Sequence, residues 1–136
     1  MKKRINSRQK GKRGELLVCK LLTKTAGGEW RRTAQVRGKN HGAPDIESPA
    51  SPNLWVEVKD RAGWYVGCTP WIQVWATCRK EAEEAGKVPV LIWRCARGRF
   101  AATVGVVQIH GLQAVTYGDI GWAVAYAEQL AKGVAP

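Results

Sequence analysis

The 136-residue sequence predicts an α/β domain with a mixed central sheet flanked by helices, and three observations predict it. Residues 54–59, L-W-V-E-V-K, alternate, with Leu54, Val56 and Val58 on one side and Trp55, Glu57 and Lys59 on the other. That is the period of a half-buried strand. Residues 88–95, V-P-V-L-I-W-R-C, form a nearly continuous apolar run, as expected of a central strand covered on both faces. Helical spacing flanks these strands. Leu17, Val18, Leu21 and Leu22 give the apolar face of a helix over residues 7–26, stopped by Gly27-Gly28. Trp71, Trp75, Cys78, Ala82 and Ala85 form the stripe of a second helix that ends at Gly86.

Taken in order, residues 1–13 are a basic arm carrying Lys2, Lys3, Arg4, Arg8, Lys10, Lys12 and Arg13 and no acid. Such a run is either a solvated tail or an arm lying along phosphates, and the basic character of the whole chain favours the second. Residues 14–136 read as one domain, with no internal repeat and no linker to divide it. Residues 30–37 form the first strand. The polar loop Gly38-Lys39-Asn40-His41-Gly42 leads to a second strand that ends in Asp45-Ile46-Glu47. Residues 48–53 hold two prolines, two serines and an asparagine, which is turn composition, so a hairpin returns the chain into residues 54–59.

The strand exit, residues 60–68, places Gly63 and Gly67 around Trp64-Tyr65, an aromatic pair that is either a flap over the core or a wedge near a binding partner. Thr69-Pro70 starts the second helix as N-cap and first-turn proline. Its stripe is core against the sheet or part of a dimer seam. Arg97-Gly98-Arg99 is a turn, residues 100–109 supply one further strand or two, and His110 reads as structural. Asp119 caps a last helix to about Lys132, with Trp122, Ala123, Tyr126 and Leu130 facing inward.

Lys and Arg number 22 against 11 Asp and Glu, a formal charge of +11. A domain this basic meets a polyanion, with nucleic acid the first candidate and anionic membrane the second. No apolar run is long enough to span a bilayer. The basic N-terminus lacks the apolar core of a secretory signal. The chain therefore reads as intracellular and cytoplasmic. The four cysteines, Cys19, Cys68, Cys78 and Cys95, show no C-x-x-C spacing. They predict reduced core thiols rather than zinc ligands. Most of the seven tryptophans belong in the core, and an exposed one is suited to stacking on a nucleobase.

The hairpin concentrates charge at one place. It returns Glu57 to the level of Asp45, and Lys59 shares the face of Glu57. Two carboxylates side by side repel unless a cation lies between them. A hard dication such as Mg²⁺ prefers carboxylate oxygens and keeps several waters, and Lys59 then stands where it can hold or deprotonate a water. Glu47 shares the face of Asp45 but sits at the strand end and reads as solvated. Arg31, Arg32, Arg37 and Lys39 crowd toward Asp45, a density that suits phosphate contacts. His41, four residues before Asp45, is either a proton shuttle or a hydrogen-bonding or phosphate-touching loop residue. Glu15, the first acid in the chain, is either a surface partner of Arg8 or Lys12 or a member of this site.

Pro44-Asp45 followed by Glu57-Val58-Lys59 resembles the motif of the PD-(D/E)XK nuclease superfamily. The stretch G-K-R-G-E-L, residues 11–16, is similar to the first helix of the archaeal and phage type of Holliday-junction resolvase, over a resemblance spanning about residues 7–95. The resemblance implies a restriction-endonuclease-like αβββαβ core. It implies hydrolysis of DNA with Mg²⁺, for which Mn²⁺ substitutes, held by Asp45, Glu57, Glu15 and the backbone carbonyl of Val58. Lys59 would serve catalysis, and Gln73, off the apolar stripe of the second helix, would approach the site. Lys10, Lys12, Arg13, Arg31, Arg32, Arg37, Lys39 and His41 would contact DNA. No groove-reading element is visible, so the expected substrate is a branched structure, with four-way junctions foremost, cut by a homodimer. The resemblance fits a prokaryotic or phage-encoded protein. A general, repair or restriction-type nuclease, or a non-catalytic nucleic-acid binder, is the alternative.

Overall fold

Among the described residues, strand neighbours follow chain order in a six-stranded sheet. The computed structural model describes residues 7–33, 43–61, 63–95, 99–108 and 111–133. Its elements are α1 (Ser7–Thr25), β1 (Arg31–Arg32), β2 (Ile46–Glu47), β3 (Leu54–Lys59), α2 (Thr69–Glu84), β4 (Val88–Arg94), β5 (Phe100–Gln108), β6 (Gly111–Tyr117) and α3 (Ile120–Ala131). The pairing is antiparallel except between β3 and β4, which run parallel. A parallel neighbour needs a crossover, and α2 supplies it. The result is the expected mixed α/β sheet.

Alternation along the strands sorts the core into two layers. On one face Leu54, Val56, Val58, Val90, Ile92, Ala102 and Val104 pack with Val18, Cys19 and Leu22 of α1 and with Ala123, Val124 and Ala127 of α3. On the other, Trp55, Leu91, Trp93 and Ala101 pack with Trp71, Trp75, Cys78 and Ala82 of α2. β3 is therefore covered on both faces at Trp55, which is buried, and only its Glu57–Lys59 end is half open. The α2 stripe is core and is not available as a dimer seam. All four cysteines are free, three of them buried. Burial pushes Cys19 up to about 11 and Cys78 well above its usual range, so both are protonated packing residues.

Several sequence expectations shift by a residue or a face. Of residues 30–37, β1 takes two, and 34–37 fall outside the described residues, as do the loop 38–42, residues 97–98 and His110. Cys68, not Thr69, is the N-cap of α2, with Pro70 still in the first turn. Its carbonyl accepts from Ile72 N–H at 2.9 Å. Ala85 lies beyond the buried stripe as the C-cap and is exposed. Gly86 follows in the left-handed conformation, φ +68°, which suits a residue without Cβ. Leu17 is exposed, and Gly14 and Cys19 take its place on the buried face of α1. β6 is a strand of its own that the sequence reading did not separate.

Asp119 caps α3 as expected, accepting from Trp122 N–H at 3.1 Å. Trp122 itself is 70% exposed, however, and the buried stripe is Ile120, Ala123, Val124 and Ala127. Of the four residues expected to face inward, Ala123 is buried and Tyr126 and Leu130 pack partly buried against the core, so only Trp122 turns outward. The helix lies close to α1, where a Cβ on Gly121 would come within 3.0 Å of Thr25.

Trp75 and Trp122 thus separate the two environments. Trp75→Ala is expected to cost about 3–5 kcal/mol, and Trp122→Ala to stay within about 0.5 kcal/mol of wild type. Chemical denaturation followed by circular dichroism measures both.

Candidate active site

The β2–β3 hairpin is held by its turn, where Ser51 N–H donates to the Ser48 carbonyl at 2.9 Å. Its register pairs Ile46 with Val56, so Asp45 comes opposite Glu57. Asp45 is pinned three ways. Its N–H donates to Val56 O at 3.0 Å, and its carbonyl accepts from Thr33 N–H at 3.0 Å. Its Oδ2 accepts from Val58 N–H at 2.9 Å. The Asp45 side chain therefore takes over from the backbone where the β2 ladder ends. In a strand a residue's N–H and carbonyl point to the same side. The Val58 carbonyl thus faces the same opening as Asp45.

Glu57 lies on the α2 face. Its Oε1 accepts from Trp55 Nε1 at 2.9 Å, a contact between residues two apart on one strand face. Burial first, then the charge of Asp45 and a hydrogen bond with it, push Glu57 up to about 9. Burial and Asp45 thus both favour the protonated form of Glu57, in keeping with the repulsion inferred from the hairpin.

Lys59 borders two clefts. One, of about 460 Å³, is lined by Lys10, Glu15, Asp45, Val58, Lys59 and Arg61. The other, of about 250 Å³, is lined by Glu57, Lys59, Gln73, Cys78 and Glu81 among others. The site thus opens where β2 stops and both helical layers reach the sheet edge, α1 bringing Glu15 and α2 bringing Gln73. The structure brings all five sequence-selected residues, Asp45, Glu57, Lys59, Glu15 and Gln73, to these two adjoining clefts.

Among the described residues Glu15 pairs with Arg32 and not with Lys12, and the Arg8 side chain lies outside the described residues. Its Oε2 accepts from Arg32 Nε at 2.5 Å. Desolvation raises its pKa most, opposed by the hydrogen bond from Arg32, and the charge of Asp45 raises it further. The helix can come this close because residue 14 is glycine. A Cβ there would lie 2.8 Å from Asp60 Cβ, closer than packed carbons tolerate. Asp60 in turn is held by Arg94 Nε at 2.5 Å, and the Arg94 guanidinium lies 4.4 Å from the Phe100 ring centroid.

The cations expected to meet phosphate divide into groups. Lys10 lines the larger cleft, and Lys12 and Arg13 are exposed on α1. Arg31 pairs with Glu47 at 3.4 Å in the open, so Glu47 is paired rather than merely solvated. Arg32 is spent on Glu15. Arg37, Lys39 and His41 lie outside the described residues. Sequence reading missed Asp60, Arg61 and Arg94. The parallel register, Lys59 beside Trp93, would have found the Asp60–Arg94 pair once β4 was aligned. The aromatic pair splits, with Trp64 buried in the α2 layer and Tyr65 66% exposed.

Among the described residues no group of three or more His, Cys, Asp or Glu side chains is gathered so as to hold a metal ion by itself. Two opposed carboxylates, one forced to hold a proton, and a carbonyl on the same edge nevertheless fit a hard dication. Mg²⁺ binds through one or two carboxylates and retains its waters rather than requiring an all-protein cage. The donor set is all oxygen, which does not suit zinc. Among the described residues no helix is long and apolar enough to cross a membrane.

A family model described as a phage putative PDDEXK endonuclease matches residues 6–111. Protein D14 of Escherichia phage T5 is 30% identical over 110 residues, covering 71% of this chain and 69% of that protein. Among solved structures, Hjc, a Holliday junction resolvase from the archaeal hyperthermophile Archaeoglobus fulgidus, superposes with a TM-score of 0.52 at 16% identity. The match covers 84% of this chain and 99% of that one, a likeness of fold.

The buried proton on Glu57 makes metal-free stability depend on pH. Its folded pKa lies above the ordinary 4.5, so this contribution is whole below that value and drains as pH climbs to about 9. In EDTA, Glu57→Gln should therefore gain on wild type as pH rises above 4.5. The gap should widen by up to about 1.4 kcal/mol per pH unit in denaturant titrations. Parallel curves would mean that Glu57 is charged in the fold.

Proposed function

The chain belongs to the phage putative PDDEXK endonuclease family, and from that premise we propose that it is a Mg²⁺-dependent, structure-selective DNA endonuclease, a Holliday-junction resolvase acting as a homodimer. The observation that carries the nuclease reading is the opposed Asp45–Glu57 pair, with Lys59 on the face of Glu57. A surface that merely bound phosphate would gain nothing from buried acids beside it. The resolvase reading rests on the likeness of fold to Hjc and on the lack of any groove-reading motif.

Asp45, Glu57, the Val58 carbonyl and Glu15 would hold the ion, Mn²⁺ serving in place of Mg²⁺. When bound, the ion makes water a nucleophile near neutral pH and stabilises the charge that builds on the phosphoryl and leaving oxygens. The protein's own groups do the rest. Glu57 would hold the ion as a carboxylate, its proton passing to solvent water. Lys59, at the mouth of both clefts, orients the attacking water or neutralises the scissile phosphate. Gln73 offers an amide on the opposite wall. Lys10, Lys12 and Arg13 hold the backbone of the duplex without reading its sequence. Two symmetric cuts at a four-way junction require two such sites related by a twofold axis.

Cleavage of labelled four-way junction, flap, nicked and linear DNA, each with Mg²⁺, Mn²⁺ and EDTA, tests the reading on one gel. Junctions should be cut in preference to linear duplex with either metal, and nothing should be cut in EDTA. Asp45→Asn should abolish cleavage while leaving junction affinity within about threefold, because a neutral ligand removes the ion's anchor and not the basic surface. Equal cutting of junction and duplex would leave a general nuclease. Wild-type cleavage by the Asp45 variant would displace the site.

A further inference from the structure

The two adjacent arginines of β1 are used differently. Arg31 pairs with Glu47 at the surface, both side chains being about half exposed (57% and 42%). Arg32 pairs with Glu15 at 2.5 Å, and there the acid is 12% exposed and the arginine 32%. The carboxylate is thus inside and the guanidinium reaches outward. The backbone of Arg32 is fixed, since β1 pairs Arg32 with Ile46 and the next residue, Thr33, donates to the Asp45 carbonyl. Only the side chain is left to move.

Glu15 faces opposing neighbours. Burial and the charge of Asp45 favour its neutral form, while Arg32 and Lys59 favour its charged form. Arg32 is therefore the counter-ion that keeps Glu15 in its buried position beside Asp45. A dication arriving at Asp45 would bring a second positive charge to the same carboxylate, and two cations on one oxygen repel. The displaced guanidinium has an obvious alternative, because the two non-bridging oxygens of a DNA phosphate can meet its planar fork as the two oxygens of a carboxylate do. The Nη atoms of Arg32 make no hydrogen bond to any described residue.

Resting on the nuclease reading, we propose that Arg32 is a counter-ion switch. It neutralises Glu15 in the metal-free protein and passes to a DNA phosphate as the divalent ion takes Glu15. Metal and DNA then bind cooperatively, each removing an obstacle to the other, and the ion is held firmly only when substrate is present. The coupling resides in one side chain whose two partners are mutually exclusive, which is the differential contact that linkage requires.

The test is a linkage measurement. Fluorescence anisotropy of a labelled duplex gives Kd in EDTA and in Ca²⁺, an ion that accepts oxygen ligands flexibly, with the duplex checked on a gel for integrity. The ratio of the two constants equals the effect of DNA on metal affinity. Wild type should show a ratio larger than that of Arg32→Ala by about tenfold. In calorimetric titration without DNA, Arg32→Ala should bind Ca²⁺ at least as tightly as wild type, since the competitor is gone. Arg32→Lys, which keeps the charge and loses the fork, should have an intermediate ratio, and it carries the test if the alanine variant does not fold. Equal ratios in wild type and variant would make Arg32 a passive phosphate contact. Weaker Ca²⁺ binding by Arg32→Ala would make it a structural brace for Glu15. Either result overturns the switch and leaves the nuclease reading intact. A wild-type protein that binds no divalent ion, with or without DNA, would instead remove the nuclease reading itself.

Discussion

Two carboxyl groups facing each other across one register step of an antiparallel hairpin cannot both be charged in a half-buried place unless a cation joins them. The pairing of Ile46 with Val56 imposes that meeting on Asp45 and Glu57, and other features of the fold keep them together. Val58 N–H holds one oxygen of Asp45. Trp55 holds one oxygen of Glu57. The tryptophan-rich layer beneath Trp55 removes water from that side. Left without a cation, the pair solves its repulsion by keeping a proton on Glu57.

The site lies where it does because β2 is short. Beyond Asp45 the strand no longer covers β3, so the two helical layers, elsewhere separated by the sheet, reach one edge. Glu15 comes from the layer of α1, which can approach because Gly14 has no side chain to strike Asp60. Gln73 comes from the layer of α2. Lys59 is the last residue of β3 and stands at the mouth of both clefts. Side chains on strand ends and helix faces are held more firmly than those on loops, and four of these five residues sit within regular elements, with Asp45 one residue before β2.

Much of this was legible in the sequence, for identifiable reasons. Alternation over Leu54–Lys59 fixed which side chains share a face, and turn composition over residues 48–53 fixed the hairpin, so the meeting of Asp45 and Glu57 followed from local rules. Partners that come from distant segments did not. Glu15 and Arg32 are seventeen residues apart, and nothing local distinguishes Arg32 from Arg31. The two differ only in which face of β1 meets α1. Asp60 and Arg94, thirty-four residues apart, depend on the parallel register. At α3 the expected Ala123, Tyr126 and Leu130 do meet the core, and only Trp122, at the edge of that face, turns outward, a detail set by how the helix packs in the assembled core.

If an ion joins Asp45 to Glu57 as proposed, Glu57 must surrender its proton. Calorimetric titration of Mg²⁺ into the protein at pH 7, in two buffers of different ionisation enthalpy, measures that proton directly. About one proton should be released per ion bound, and none by Glu57→Gln. Binding with no proton released in the wild-type protein would contradict that expectation, because the two carboxyl groups would then already be charged side by side without a cation.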